Sequence, residues 1–330
     1  MKKTSIADIA RQLGLSKTTV SFVLNHKGDE KKISAQTQQR IFELAGKLNY
    51  QPDTVAQSLK TGRSNTIGYL VPDIANPFFA KTGRKIEDLL AKCGYNLIIG
   101  STDENTSKEE ELINTLVNRK TDGLIIASTN IRSETLHNLL SKKFPLVLFD
   151  REEPEIQANY IVVENKMAMK NAVIELLASK QRKIGLLSIT PHVYSLKLRI
   201  EGFREAMQAV PDYDPRLLRT VNYTDIKQST QKEIKILMDH EVEAIVFTNN
   251  LIATEGLWVL NRFYKNRIDQ LALLSFDDSE IFDYALPRVT SLAQPVNEIA
   301  SNTVELLLKQ ISDPESEFSR IELQTSLITR

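Results

Sequence analysis

Apolar residues recur every three or four positions through the first fifty residues of the chain. Ile6, Ile9, Ala10 and Leu13 stand at i, i+3, i+4 and i+7, one stripe along a helix. Ser5 with Asp8 three residues on reads as a capping-box start. Gly14 ends that helix at the position where a glycine takes positive φ easily. Ser16 suits the N-cap of a second helix packing through Val20, Val23 and Leu24. A loop from His26 to Lys32 leads to Ser34 and a third helix, with Ile41, Leu44, Ala45 and Leu48 again at i, i+3, i+4 and i+7. Helix, tight glycine turn and helix make the helix-turn-helix pattern. A small helical bundle with a solvated face fits the same periodicity.

From Thr66 onward the pattern changes. Short apolar runs alternate with amphipathic stretches. Strands are expected at Ile67–Val71, Asn96–Ile99, Gly123–Ala127, Leu146–Phe149, Ile184–Leu187, Ala244–Phe247 and Leu271–Ser275. Helices are expected at Ile86–Cys93, Lys108–Asn118, Met167–Ser179, Leu198–Ala209, Gln231–His240 and Ile252–Phe263. Alternating β and α predicts parallel sheets with right-handed crossovers. About ten such units exceed one sheet, so two lobes are expected. The fold class is therefore an all-α helix-turn-helix head on an α/β body of two lobes.

Polar residues then mark two candidate surfaces. The second helix opens with Ser16, Lys17, Thr18, Thr19 and Ser21. In this motif the first residues of the second helix touch base edges in the major groove. Lys17 and Thr18 are the candidates for base readout; Ser16, Thr19 and Ser21 suit phosphate contacts that fix the register. The other surface lies at strand ends, where open α/β sheets bind ligands. Asp73, Asn76, Phe78 and Phe79 follow the first strand; Ser101, Thr102 and Asp103 follow the second. Asp150 and Arg151 follow Leu146–Phe149, and Asp277 and Asp278 follow Leu271–Ser275. Carboxylates accept from adjacent sugar hydroxyls, and aromatic rings cover a sugar's apolar face. Arg151 beside Asp150 has two readings. It holds a phosphate bidentately, or it only orients the carboxylate. Phe79 and Tyr223 suit core packing as well as ligand contact.

Composition narrows the classes. The chain has 330 residues, enough for two or three domains, and no apolar run long enough for a membrane span. No signal peptide is visible after Met1, so a cytoplasmic protein is expected. The single cysteine, Cys93, excludes an intrachain disulfide. His137, His192 and His240 lack metal-ligand spacing. A formal net charge of zero hides an asymmetry. Residues 1–63 hold eleven Lys/Arg and five Asp/Glu, a net +6, which leaves 31 against 37, a net −6, on the remainder. A basic head suits phosphate attraction. None of the twelve glycines forms a Gly-x-Gly pair, and no Gly-x-Ser-x-Gly elbow occurs. No cofactor, metal or catalytic residue is therefore expected. The rival functions are a cytoplasmic sugar-binding protein and a carbohydrate-active enzyme without DNA binding. Asp277-Asp278 is a poor glycosidase pair, because adjacent side chains on a loop rarely face a common bond.

Ile6-Ala7-Asp8-Ile9-Ala10, Leu15-Ser16, Thr19-Val20-Ser21, Val23-Leu24-Asn25, Leu48-Asn49-Tyr50-Gln51-Pro52 and Thr61-Gly62-Arg63 resemble the head of the LacI/GalR family of bacterial transcriptional regulators. The resemblance runs through the whole chain. Phe22 stands where most members have Arg, and the loop before Ser34 is about three residues longer than in lac-type members. Both features resemble the fructose and sucrose repressor branch. The resemblance implies a helix-turn-helix domain at 1–50, a hinge helix and linker at 51–63, and a periplasmic-binding-protein-like effector-binding and dimerisation body at 64–330. It adds Thr4, Ser5, Phe22 and Asn25 to the DNA-contacting set. In the hinge it implies a minor-groove wedge at Leu59, with Val55 and Ala56 where two hinges pair. Asp53 stands where the family usually has Asn. For the effector it implies Phe78, Asp150, Arg199, Tyr223, Asn249 and Asp277; Asp73 and Arg151 join them from the strand-end reading. The partners implied are operator DNA, a sugar or sugar-phosphate effector and a second copy of the chain. Dimer contacts are expected near Phe78–Leu90 and Ile252–Phe263. The first lobe is expected to take 64–160 and a return near 292–320, and the second 161–291 plus a last strand at Glu322–Ile328.

Overall fold

A computed structural model describes residues 4–50, 62–190 and 193–330. Its contacts divide the chain into two compact units, 1–64 and 65–330. The first unit holds α1 (Ile6–Leu13), α2 (Lys17–Leu24) and α3 (Ala35–Lys47). Ser5 closes a capping box with Asp8, and Gly14 takes φ 66° at the end of α1. That conformation costs a Cβ-bearing residue about 1–2 kcal/mol. Ser16 and Ser34 cap α2 and α3 by accepting from the Thr19 and Thr37 amides. Each such cap is worth roughly 1 kcal/mol. The core beneath is small: Ile9, Val20, Val23 and Ile41 are fully buried, with Ala10 and Ala45 beside them. With so few buried side chains the caps matter more here than in the body.

The second unit begins as β1 (Thr66–Val71), α4 (Pro77–Lys92), β2 (Asn96–Ser101), α5 (Thr106–Asn118), β3 (Gly123–Ile126), α6 (Glu134–Ser141), β4 (Leu146–Phe149) and β5 (Asn159–Val163). It continues as α7 (Asn165–Ala178), β6 (Ile184–Ile189), α8 (Tyr194–Met207), β7 (Leu218–Val221), α9 (Ile226–Asp239), β8 (Ala244–Phe247), α10 (Asn250–Phe263), β9 (Ala272–Phe276) and β10 (Val289–Ala293). The chain ends with α11 (Val296–Ser312), β11 (Arg320–Leu323) and β12 (Ser326–Ile328). Two six-stranded sheets result, ordered β11-β5-β4-β3-β1-β2 and β12-β10-β9-β8-β6-β7. Both reverse direction at an equivalent place, between β1 and β3 and between β6 and β8. Crevices for ligands open at such reversals, outside the carboxyl ends of the strands.

Three strands lie outside the seven expected. β5 carries a short apolar run, Tyr160 to Val163, after Asn159, and its five positions are all buried. β7 is an edge strand whose apolar run is interrupted by Arg219, whose Nε donates to Glu233 at 2.6 Å. β10 buries Ser291, a polar residue tolerated because its hydroxyl donates to Asp278 at 2.6 Å. The final strand also differs from the expectation. Instead of one strand at Glu322–Ile328 in the second lobe, Arg320–Leu323 runs parallel to β5 in the first lobe. Ser326–Ile328 pairs antiparallel with β10 in the second. Between them the chain changes lobe beside Glu164, whose amide donates to the Leu323 carbonyl and whose carboxylate accepts from the Thr325 amide. The lobes are thus joined by three crossings, after β5, β10 and β11.

Gly202 lets α7 and α8 approach at backbone contact. A Cβ there would stand 2.2 Å from the Lys166 carbonyl oxygen, a clash with main chain that no rotamer relieves. Gly46 in α3 has nothing within 4 Å of a Cβ. G202A is expected to lower the urea unfolding midpoint of the body, with a loss of about 1–3 kcal/mol. G46A is expected to gain about 0.5–1 kcal/mol in the head. An unchanged midpoint for G202A would contradict the close crossing.

Candidate functional site

The head presents a short polar face. Lys17 and Thr18, in the first turn of α2, are exposed. Ser16 and Thr19 serve the helix as well as the surface: the Ser16 oxygen accepts from the Thr19 amide at 3.0 Å and lies 2.8 Å from the Thr19 hydroxyl. Asn25 folds its amide back onto the Ser21 carbonyl at 2.7 Å. Thr4 donates to the Leu48 carbonyl at 3.1 Å and ties the start of the chain to the end of α3. Ser5 is occupied by the capping box. Phe22 is half-buried, and the Lys31 ammonium stands 5.5 Å from its ring centroid. The longer loop therefore lays a cation over the residue that replaces arginine. Val55, Ala56 and Leu59, together with Asp53, lie outside the described residues.

The second site is a cavity between the two sheets of the body. Asp73, Phe78, Asp150, Arg151, Arg199, Tyr223, Asn249 and Asp277 all line it. All but Arg199, which stands in the second turn of α8, reach it from a strand end or a helix start. Asp150 and Asp277 sit in left-handed backbone, φ 63° and 65°, directly after β4 and β9. Residues held in that region cluster at binding sites, and Asp is among the types that tolerate it. Asn76 and Asn249 cap α4 and α10, accepting from the Phe78 amide at 3.0 Å and the Ile252 amide at 3.1 Å. Asn76 and Asn250 face each other across the lobes with amide contacts of 3.3 Å.

Arg199 is the centre of the cavity's charge. Its Nε donates to Asn165 at 2.8 Å, and its Nη1 donates to the Thr248 carbonyl at 2.8 Å. Asp277 lies 3.6 Å away on its own lobe and Asp150 lies 3.9 Å away on the other. The guanidinium stacks 3.7 Å from the Phe276 ring centroid. Arg199 and Asp277 are 3% and 5% exposed, so neither charge is hydrated as on a surface. Gln294 donates to the Asp277 carboxylate at 2.7 Å. Burial raises the Asp277 pKa above the ordinary carboxylate value; Arg199 opposes the rise and Asp150 adds to it.

Several side chains differ from the strand-end reading. After β2 it is Glu104, and not Asp103, that lines the cavity. Asp103 is exposed and pairs with Lys108. Ser101 accepts from the Ile74 amide at 3.1 Å, and Thr102 is fully buried. Asp278 turns away to Ser291 and Arg330, the latter at 2.8 Å. Phe79 lines the cavity and also packs edge-on against Phe149, at 6.0 Å between centroids. Sequence reasoning also passed over Ser195, Leu196 and Leu251, which sit on the first turns of α8 and α10.

Two family models match. Residues 5–53 match the model described as bacterial regulatory proteins, lacI family, and residues 173–330 match a periplasmic binding protein-like domain. The chain belongs to the LacI family of bacterial regulatory proteins. Relatives of this LacI-family chain are similar along nearly their whole length. An HTH-type transcriptional regulator KdgR of Bacillus subtilis is 26% identical, over 99% of this chain and 97% of that one. A sucrose operon repressor of Klebsiella pneumoniae is 29% identical, over 94% and 93%. Among solved structures, the Cra transcriptional dual regulator of Pseudomonas putida in complex with fructose 1-phosphate is 25% identical with a TM-score of 0.73, over 81% of this chain and 98% of that one. As a LacI-family member the chain is a DNA-binding transcriptional regulator with an α/β body. Among the described residues no helix is long and apolar enough to cross a membrane, and no cluster of metal-ligating side chains occurs.

Asp277 makes one pH prediction. A carboxyl whose folded pKa is raised adds stability at low pH and loses it as pH climbs through the folded value. In Asp277→Asn that titration is absent. The variant's stability relative to wild type should therefore improve as pH rises above the ordinary value of 3.8, then level off. Denaturant titrations across the acid range check this; a difference that does not vary with pH would contradict the buried carboxyl.

Proposed function

We propose that the chain is a ligand-controlled repressor of carbohydrate-utilisation genes, working in the cytoplasm as a dimer. The observation that carries this reading is the convergence of eight side chains from both lobes on one cavity, in a chain whose head is a helix-turn-helix. The organisation proposed is a DNA-binding domain at 1–50, a hinge and linker at 51–63 and an effector-binding and dimerisation body at 64–330. Lys17 and Thr18 read bases; Ser16, Thr19, Ser21 and the amino-terminal pair Thr4 and Ser5 hold backbone. Carboxylates at Asp150 and Asp277 accept sugar hydroxyls, and Phe78 and Tyr223 cover the apolar face. The names of the sucrose operon repressor and of the Cra complex with fructose 1-phosphate support a sugar or sugar phosphate as effector. Phe22 and the longer loop resemble the fructose and sucrose repressors.

A dimer is supported by one apolar face on the second lobe. Trp258, Phe263, Tyr284 and Leu286 are 57%, 52%, 87% and 68% exposed, and Trp258, Tyr284 and Leu286 line one shallow depression. Contiguous apolar patches of this kind mark interfaces. A dimer puts two heads on a pseudopalindromic site with half-sites about one helical turn apart. Effector binding changes the relation of the lobes and weakens the grip on DNA, with a coupling of about 1–3 kcal/mol.

The test is retardation of promoter fragments by the purified chain. Retardation should weaken steeply as salt rises, since released counterions drive it. Replacing Lys17 or Thr18 by Ala should change which bases are preferred, by roughly 1–3 kcal/mol per bidentate contact. Arg199→Lys should keep DNA affinity and lose the response to sugar. No retardation of any genomic fragment at low ionic strength would overturn the reading.

A further inference from the structure

We infer that the cleft recognises an uncharged polyol, a free sugar, and excludes sugar phosphates. The inference rests on the cleft being the effector site. Six charged side chains line the cavity among the described residues: Asp73, Glu104, Asp150 and Asp277 against Arg151 and Arg199. Four negative groups face two positive ones, a surplus of two negative charges. Were Asp277 to hold a proton, three would still face two.

The forks of both guanidinium groups are largely taken, and of the two only Arg151 Nε stands as a buried donor without a hydrogen-bond partner. Arg151 is 6% exposed, and its Nη1 donates to Glu104 at 2.8 Å and to the Ser128 carbonyl at 3.2 Å. Its Nη2 donates to the other oxygen of Glu104, so the fork that would clasp a phosphate already clasps a carboxylate. Asp150 stands 3.7 Å from its Nε. Glu104 reaches this position through left-handed backbone, φ 53°. Arg199 donates to Asn165 and Thr248, as described, and neighbours two carboxylates. A phosphate would have to displace Glu104 and leave that carboxylate facing a second anion.

The remaining positive contribution comes from helix starts. Three helices begin at the cavity: α4, α8 and α10. Asn76 and Asn249 already cap two of them; among the described residues no side chain caps α8. Each terminus supplies about half a charge, about one and a half in all, which is less than the surplus of two negative charges with every carboxylate ionised. A neutral polyol meets no such obstacle. Its hydroxyls donate to Asp150, Asp277 and Asp73, and an uncapped α8 amide suits one of its oxygens.

The test compares anion binding in wild type and Glu104→Gln, with Glu104→Ser as a second, smaller replacement. The probes are inorganic phosphate, fructose 1-phosphate, ribose 5-phosphate and glucose 6-phosphate, each against potassium chloride of equal ionic strength. Thermal unfolding of the full chain is the readout. In wild type none of them should raise the midpoint beyond the chloride control. In the Glu104 variants, where Arg151 loses its partner, inorganic phosphate should raise it. A phosphate or ester that stabilises wild type, with the effect lost in Arg151→Gln, would overturn the proposal. So would a failure of phosphate to stabilise either Glu104 variant, because Glu104 would then not be what excludes it. The effector-site reading fails by a separate result: a free sugar that weakens DNA retardation equally in wild type and Arg199→Lys.

Discussion

A guanidinium buried between carboxylates of two lobes is the constraint that the rest of the body serves. Arg199 gives up nearly all its hydration, and an unpaired charge so placed would cost several kcal/mol. The fold offsets this from every side. Asn165 and the Thr248 carbonyl take two donors, Phe276 covers the flat face, and Asp277 and Asp150 balance the charge. The five partners come from four elements: the start of α7, and the ends of β8, β9 and β4. Asp150 belongs to the other lobe, so the charge balance of Arg199 depends on how the lobes meet. A ligand that hydrogen-bonds these carboxylates changes that balance.

The sheets make this placement possible. Both lobes repeat one strand order, so both open a crevice at the same point of the fold. Facing these crevices concentrates strand ends and helix starts around one volume. Left-handed turns at Asp150 and Asp277 then direct the carboxylates inward. The head follows a different economy. Its core is six residues, and serine caps plus the Gly14 turn supply a large share of its order.

Much of this was legible in the residues, and the exceptions have causes. Helix starts in the head were readable because Ser5, Ser16 and Ser34 act locally, within one turn. Strand ends were readable because apolar runs stop at a polar residue. Which of two adjacent polar residues faces inward was not. At 103–104 both residues are acidic, and the choice depends on Lys108 drawing Asp103 outward and Arg151 drawing Glu104 inward. Arg151 is 47 positions away in sequence, so no local pattern reports it. β10 was missed for a similar reason: Ser291 is acceptable in a core because Asp278 is there to accept its hydrogen bond. The division of the last strand between lobes depends on Glu164, again a distant partner. Local rules placed the elements and most of the cavity; long-range ion pairs decided the remainder.

A double-mutant cycle on Arg199 and Asp150 tests the central constraint most directly. Urea unfolding of the full chain is followed for Arg199→Met, Asp150→Asn and the double variant. If the two side chains share one charge balance across the lobes, their effects should be non-additive by about 0.5–3 kcal/mol. Effects that add to within about 0.5 kcal/mol would contradict it.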